Sequence, residues 1–263
     1  MKKLLILAVL IVFGTGSLYG QGELNEQQKV FFRNERSFAI LLNSDGFGVS
    51  YRGATRIDFL NKRLLEIEAG ILKHPKEYKI SNPSNQSQST YVYGKLNSVF
   101  YIRAGIGHQH EIFRKADLGG IAVRYFYGAG PVVALYKPIY YQALYLTAGG
   151  PVTKAEKFNV TTPQDIYGKA SFTKGLNETK ILPGLYAKAG LNFEYSKEDK
   201  IIHAVELGAQ INAFPKQIPI MASTDNKSIY FSLFVSYRFG MIINPLDPES
   251  NKLSNIFRRK KNN

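Results

Sequence analysis

The densest group of residues able to do chemistry is His108–Gln109–His110–Glu111, in a chain with four histidines and no cysteine. Two histidines spaced i, i+2 on a strand face the same side, so His108 and His110 could share a metal ion. His74 falls at the other end of the strands, and His203 falls on a strand not adjacent to the pair. No third ligand follows, so the expectation is a polar strand end without a metal. The absence of cysteine excludes disulfides, thiolate metal sites and lipid attachment to a cysteine. Hydrolysis would require a nucleophile, a base and an acid on one face. His203 and Glu206 lie three apart, on opposite faces of a strand. The reading is therefore of a chain without catalysis and without a cofactor.

A second chemistry is electrostatic. Arg52, Arg103, Arg124, Lys188 and Arg238 occupy the polar register of alternating segments, and so do Glu66, Glu68, Glu194 and Glu206. The segments that position them show period two, which sends successive side chains to opposite faces. In Phe231–Phe239, for example, Phe231, Leu233, Val235, Tyr237 and Phe239 interleave with Ser232, Phe234, Ser236 and Arg238. The same pattern recurs around Arg36–Asn43, Phe47–Arg52, Leu65–Ile71, Phe100–Gly107, Ile121–Gly128, Leu185–Tyr195 and Val205–Asn212. One face is apolar throughout; the other carries charges, amides and glycines. These eight strands predict an all-β fold, an eight-stranded antiparallel transmembrane barrel with long extracellular loops. Its interior is wide enough only for side chains or one small ligand. Charges withdrawn from water must be paired, so near-balance of signs predicts an ion-pair network plugging the lumen. The alternative is a gated, narrow solute or lipid path, separable by conductance.

The connections support a membrane setting. Ser44–Asp45–Gly46 is a tight hairpin, and the links near Asp58–Arg63, Glu111–Leu118 and Ser196–Lys200 are short. The long ones, His74–Leu96, Pro138–Ile181 and Phe214–Lys227, all fall on one side, as in outer-membrane barrels. Lys2 and Lys3, the apolar run Leu4–Phe13 and the small residues ending near Gly20 form a secretory signal pattern. The expected organisation is residues 1–20 as signal peptide, 21–34 as a periplasmic segment, 35–240 as barrel and 241–263 as a basic periplasmic tail. Export of the chain into the envelope removes nucleic acid as the partner of its +14 charge and favours anionic outer-membrane lipid and lipopolysaccharide. The 17 Tyr and 17 Phe, with no Trp, suit a sheet protein with aromatic girdles.

A connection as long as Pro138–Ile181 is the expected interaction surface. Its aromatic residues Tyr140, Tyr141, Phe158, Tyr167 and Phe172 would anchor contacts, and Lys154, Lys157, Lys169 and Lys174 would meet phosphates or an envelope protein. The run Arg258, Arg259, Lys260 and Lys261 would bind anionic lipid or dock on a periplasmic protein.

The phrases KHPKE (Lys73–Glu77), VYGKLNS (Val92–Ser98), VRYFYGAG (Val123–Gly130) and KPIYY (Lys137–Tyr141), set in this strand pattern, resemble small outer-membrane barrels of the OmpA/OmpX/OmpW type. More narrowly, the chain is similar to barrels common in Bacteroidota. Phe231–Phe239 is similar to the terminal strand read by the barrel-assembly machinery, although the chain continues to Asn263. The resemblance implies a structural or interaction component of the envelope, including an accessory of a secretion or assembly system. It transfers no site residue. A lipid-modifying enzyme is a further alternative, which replacing His108, His110 and His203 would test.

Overall fold

The computed structural model describes residues 34–81, 90–116, 119–158, 166–197, 200–222 and 226–243. The expected signal peptide, nearly all of the segment to residue 34, and the basic run Arg258–Lys261 lie outside the described residues.

In chain order the strands are β1 (Asn34–Asn43), β2 (Gly46–Arg56), β3 (Asn61–Leu72), β4 (Lys79–Ser81), β5 (Thr90–Val92), β6 (Asn97–Phe113), β7 (Ala122–Pro138), β8 (Tyr140–Thr147), β9 (Gly150–Lys157), β10 (Ile166–Lys169), β11 (Lys180–Glu194), β12 (Ile201–Ala213) and β13 (Ile229–Ile243). Eight of them close in the order β1–β13–β12–β11–β7–β6–β3–β2. Every pairing is antiparallel, and β1 closes on β13 from Asn34 opposite Ile243 to Asn43 opposite Phe234. Closure leaves the barrel without a free edge. The connections after β2, β6 and β11 are short and lie at one end, the turn end; the long ones share the other, the loop end.

Local chemistry fixes the tight corners. In the β2–β3 turn the Asp58 carboxylate accepts from the backbone of Leu60 (2.9 Å) and Asn61 (2.8 Å), an Asx turn. In the β1–β2 hairpin Gly46 has φ +152°, and a Cβ there would stand 1.9 Å from the Ile71 carbonyl oxygen. Only glycine fits that crossing.

Several elements run further than the alternation indicated. β6 continues through His108–Phe113, pairing with Val123–Tyr127 of β7. β7 continues from Gly128 to Pro138: the small Ala129 and Pro131 weaken the outward apolar series without interrupting the pairing. β13 passes Gly240 and adds Met241–Ile243 opposite Asn34–Arg36, so the barrel wall spans 34–243 rather than 35–240. The long connection after β7 is not an irregular loop: it contains a three-stranded sheet, β10–β8–β9.

The wall is polarised in the reverse of a water-soluble core. Outward positions carry Ile40, Leu42 (65% exposed), Val49, Leu65, Ile67, Ile102, Ile106, Leu185, Phe231 (66% exposed), Leu233 and Val235. Inward positions hold two kinds of filling. Near the loop end, Leu72, Val99, Val132, Ala134, Leu182 and Tyr230 meet Ile218, Ile220 and Met221 of the β12–β13 connection, which dips into the mouth as an apolar plug. The plug is pinned where the backbone N–H of Leu96 donates to the Ile220 carbonyl (2.8 Å) and that of Ala222 to Gly94 (2.7 Å). Below it lie the charges.

Candidate functional site

The sequence places a cation or carboxylate at the same height on several strands, and barrel closure aims them at one axis. Seven of the nine charged positions form one connected cluster. Glu206 of β12 is its hub, accepting from Arg52 Nη1 (2.6 Å), Arg238 Nε (3.0 Å), Asn192 Nδ2 (2.9 Å) and Ser236 Oγ (3.2 Å). Glu66 accepts from Arg52 Nη2 at 3.0 Å and Arg238 Nη2 at 2.9 Å. Lys188 bridges Glu66 (3.4 Å) and Glu68 (3.2 Å). Arg103 pairs with Glu68 at 2.6 Å and donates to Gln210 and Asn212. The remaining two, Arg124 and Glu194, pair with each other in a separate cluster nearer the turn end, with Glu111, Lys115 and the pair Glu35–Lys62.

Sequence reasoning missed the aromatic half of this arrangement. The Arg52 guanidinium lies 4.6 Å over Phe126, Arg103 lies 4.7 Å over Tyr186 and 5.1 Å over Tyr101, and Lys188 lies 4.7 Å over Phe234. Each ring occupies the inward register, so the signal was an aromatic residue interrupting a polar series. Rings that large fit because the facing wall is glycine: a Cβ at Gly105 would lie 2.2 Å from the Tyr186 hydroxyl oxygen. A charge both ion-paired and set over a ring face is better compensated out of water than either contact alone achieves. The arrangement fills the middle of the barrel with buried, paired charges.

His108 and His110 face outward at the turn end. Both ring nitrogens contact one acceptor, Asn61 Oδ1, at 2.9 and 2.8 Å, and the rings lie over Tyr127 and Tyr125. His203 stacks between Tyr195 and Tyr237 and is hydrogen-bonded to the Tyr237 hydroxyl at 2.8 Å. Among the described residues no group of three His, Asp or Glu side chains could hold a metal. The histidines instead complete an aromatic belt round the outside of the barrel. That belt, too, was missed as a unit, since its members are spread over four strands.

At the loop end the nine aromatic and lysine positions divide. Tyr141 is buried, and its hydroxyl donates to the carbonyls of Val92 and Lys95, both at 2.7 Å; burial holds that phenol above its usual range. Phe158 packs on Tyr141 and Tyr93. These two anchor the β8–β10 sheet to the β4–β6 connection; for the buried Tyr141 that is a correction to its expected role, whereas Phe158 also lines a cavity at the mouth of the barrel. Sequence alone could not separate Tyr140 from Tyr141, because which of two neighbours points inward depends on the sheet. Tyr140 donates to Glu178 at 2.5 Å, beside the Lys157–Glu178 pair, also 2.5 Å. These bonds hold the Glu178 carboxyl below its ordinary value and raise the Lys157 ammonium. Phe172 covers the otherwise outward Lys137, whose ammonium donates to the carbonyls of Phe172 (2.7 Å) and Lys174 (2.9 Å). Lys154 pairs with the exposed Glu156; Lys169 and Lys174 are exposed, and Tyr167 is half-buried. Among the described residues lysine outnumbers carboxylate at this end: Lys73, Lys76, Lys79, Lys95, Lys180, Lys216 and Lys227 join the four just named and Lys157, against Asp45, Glu77, Glu156 and Glu178.

No protein-family model matches the chain, and no curated protein does. Solved structures that match include Neisserial surface protein A (12% identity, 80% of this chain, 96% of that one, TM-score 0.36). They also include the N-terminal β-barrel domain of Pseudomonas aeruginosa OprF (7%, 80% and 98%, 0.33) and Ail, the attachment invasion locus protein of Yersinia pestis (10%, 80% and 97%, 0.35). At such identities and scores the likeness carries no functional inference, and the eight-stranded closed barrel stands on its own strand pairing.

Proposed function

We propose that this chain is an exported, non-catalytic β-barrel of a Gram-negative outer membrane, with a closed lumen and a lysine-rich external end that acts as an interaction or structural component of the envelope. One observation carries the reading: large apolar side chains cover the outside of the wall, while Arg103 (1% exposed) and Glu206 (0% exposed) fill its middle. A barrel with that polarity is unstable in water and stable in acyl chains. The Tyr/His belt suits the headgroup layer at the turn end. Apolar plug and ion-pair cluster, one above the other, oppose a standing solute path. Lipopolysaccharide phosphates and an envelope protein, including a component of a secretion or assembly system, are the partners that the lysine-rich end favours.

Cell fractionation with surface labelling tests the reading. The processed chain should be recovered in outer membranes, need detergent for extraction, and display a tag inserted at Ala148 on the cell surface. Recovery as a detergent-free soluble monomer would overturn the membrane reading, and labelling only after outer-membrane permeabilisation would overturn the orientation. In planar bilayers the protein should give no steady conductance; a stable open pore would refute the closed lumen. Crosslinking from native membranes, with and without residues after Ile243, should identify the partner and whether the tail contributes.

A further inference from the structure

A cavity of about 500 Å³ lies over the apolar plug, in the size range of small-ligand sites. It is not a gap between mobile ends. Tyr136 and Lys180 stand opposite each other at the top of β7 and β11, Asn97 and Pro138 do so on β6 and β7, and Phe158 and Pro219 close it from the long connections. The Asn97 amide is fixed by donation to the Pro219 carbonyl at 2.6 Å, so its own carbonyl oxygen is held in place as an acceptor. Glu178 also lines the space, but its charge is matched by Lys157. Lys180 closes no ion pair among the described residues, and the Tyr136 hydroxyl makes no hydrogen bond there. The cavity thus offers two ring faces, two proline faces, an oriented amide, a free phenol and, with Lys157 and Lys180 sharing Glu178, one net positive charge.

We propose that this vestibule binds one anionic sugar unit, with Tyr136 and Phe158 against the C–H face of the ring and Lys180 paired to its phosphate or carboxylate. Apolar ring faces alone would accept any lipid, and lysines alone any anion; a site that has both, with a fixed amide between, fits a polar ring carrying charge. The proposal rests on the outward orientation of the loop end, where glycans are the available anions. The sugar could belong to the membrane's own lipopolysaccharide or to a free glycan.

Titration calorimetry on the full chain in detergent, with glucose 6-phosphate, glucuronate, glucose and inorganic phosphate, tests it. The charged sugars should bind saturably, at least about tenfold tighter than glucose or phosphate alone, and Lys180→Gln should remove that advantage with the thermal melt unchanged. Equal binding of phosphate and sugar phosphate, indifference to Lys180→Gln, or no saturable binding would each overturn the proposal. Delipidated core oligosaccharide against intact lipopolysaccharide separates the sources: equal affinity means that the sugar alone is read, and binding of the intact lipid only would overturn a sugar-sized site. A barrel that fractionates with outer membranes yet binds none of the probes fails here while leaving the proposed function standing.

Discussion

Replacing Glu206 by Gln is the sharpest perturbation of the lumen. The amide keeps the shape of the side chain, so packing is conserved and the change is one of charge. The central cluster has four cations, Arg52, Arg103, Lys188 and Arg238, against three carboxylates, Glu66, Glu68 and Glu206. The substitution leaves two carboxylates for four cations and removes the hub that both Arg52 (2.6 Å) and Arg238 (3.0 Å) use. Removing one partner of a buried pair costs about 3–5 kcal/mol, chiefly through the charge left behind. At about 1.4 kcal/mol per decade this lowers the folding equilibrium by roughly two to four orders of magnitude. Urea titration of protein refolded into vesicles measures it, read by far-ultraviolet circular dichroism because the chain has no tryptophan. The midpoint should fall with the slope unchanged. Combining Glu206→Gln with Arg238→Met removes both partners and should recover at least half of the loss, since the orphaned charge goes with its host. A loss below about 0.5 kcal/mol, the size of an exposed pair, would refute the reasoning, because the lumen would then have to be wet.

Three further outcomes follow from other parts of the barrel. Gly105→Ala puts a Cβ 2.2 Å from the Tyr186 hydroxyl oxygen and 2.6 Å from the Ala129 carbonyl oxygen, and should destabilise by about 1–3 kcal/mol in thermal melts; adding Tyr186→Phe should recover only part, since the carbonyl remains. Ile218→Ala and Ile220→Ala should each cost about 2–5 kcal/mol by emptying the plug, yet single-channel recordings should stay silent because the ion pairs beneath are untouched. The Glu178 carboxyl, held below its ordinary 4.5 by Lys157 and Tyr140, contributes to the loop end fully above that value and loses its contribution as pH falls through the lowered one. Limited proteolysis within residues 139–179 should therefore accelerate only in that acid window, and Glu178→Gln should make cleavage fast and independent of pH.

Period two is the most local of signals, and it carried most of the fold. In Phe231–Phe239 or Leu185–Tyr195 each residue's face follows from its neighbour's, so eight walls and their polar sides were legible before any pairing was known. Where the outward register fell to Ala129 and Pro131, with Gly128 and Gly130 on the inward one, the signal stopped while the strand did not. The charges of the lumen could be named from the same register. Which carboxylate serves which cation could not, because Glu206 meets Arg52 across 154 positions of chain, and only closure of the cylinder sets that distance. The same holds for the phenylalanine and tyrosine rings under the cations, for the β12–β13 connection folding inward as a stopper, and for Tyr141 turning into the loop sheet while Tyr140 turns out. Sequence determined the two faces of the wall, since side-chain alternation is a property of one strand. Tertiary structure decided what fills the space within and above it, since those contacts join residues whose only relation is the diameter they share.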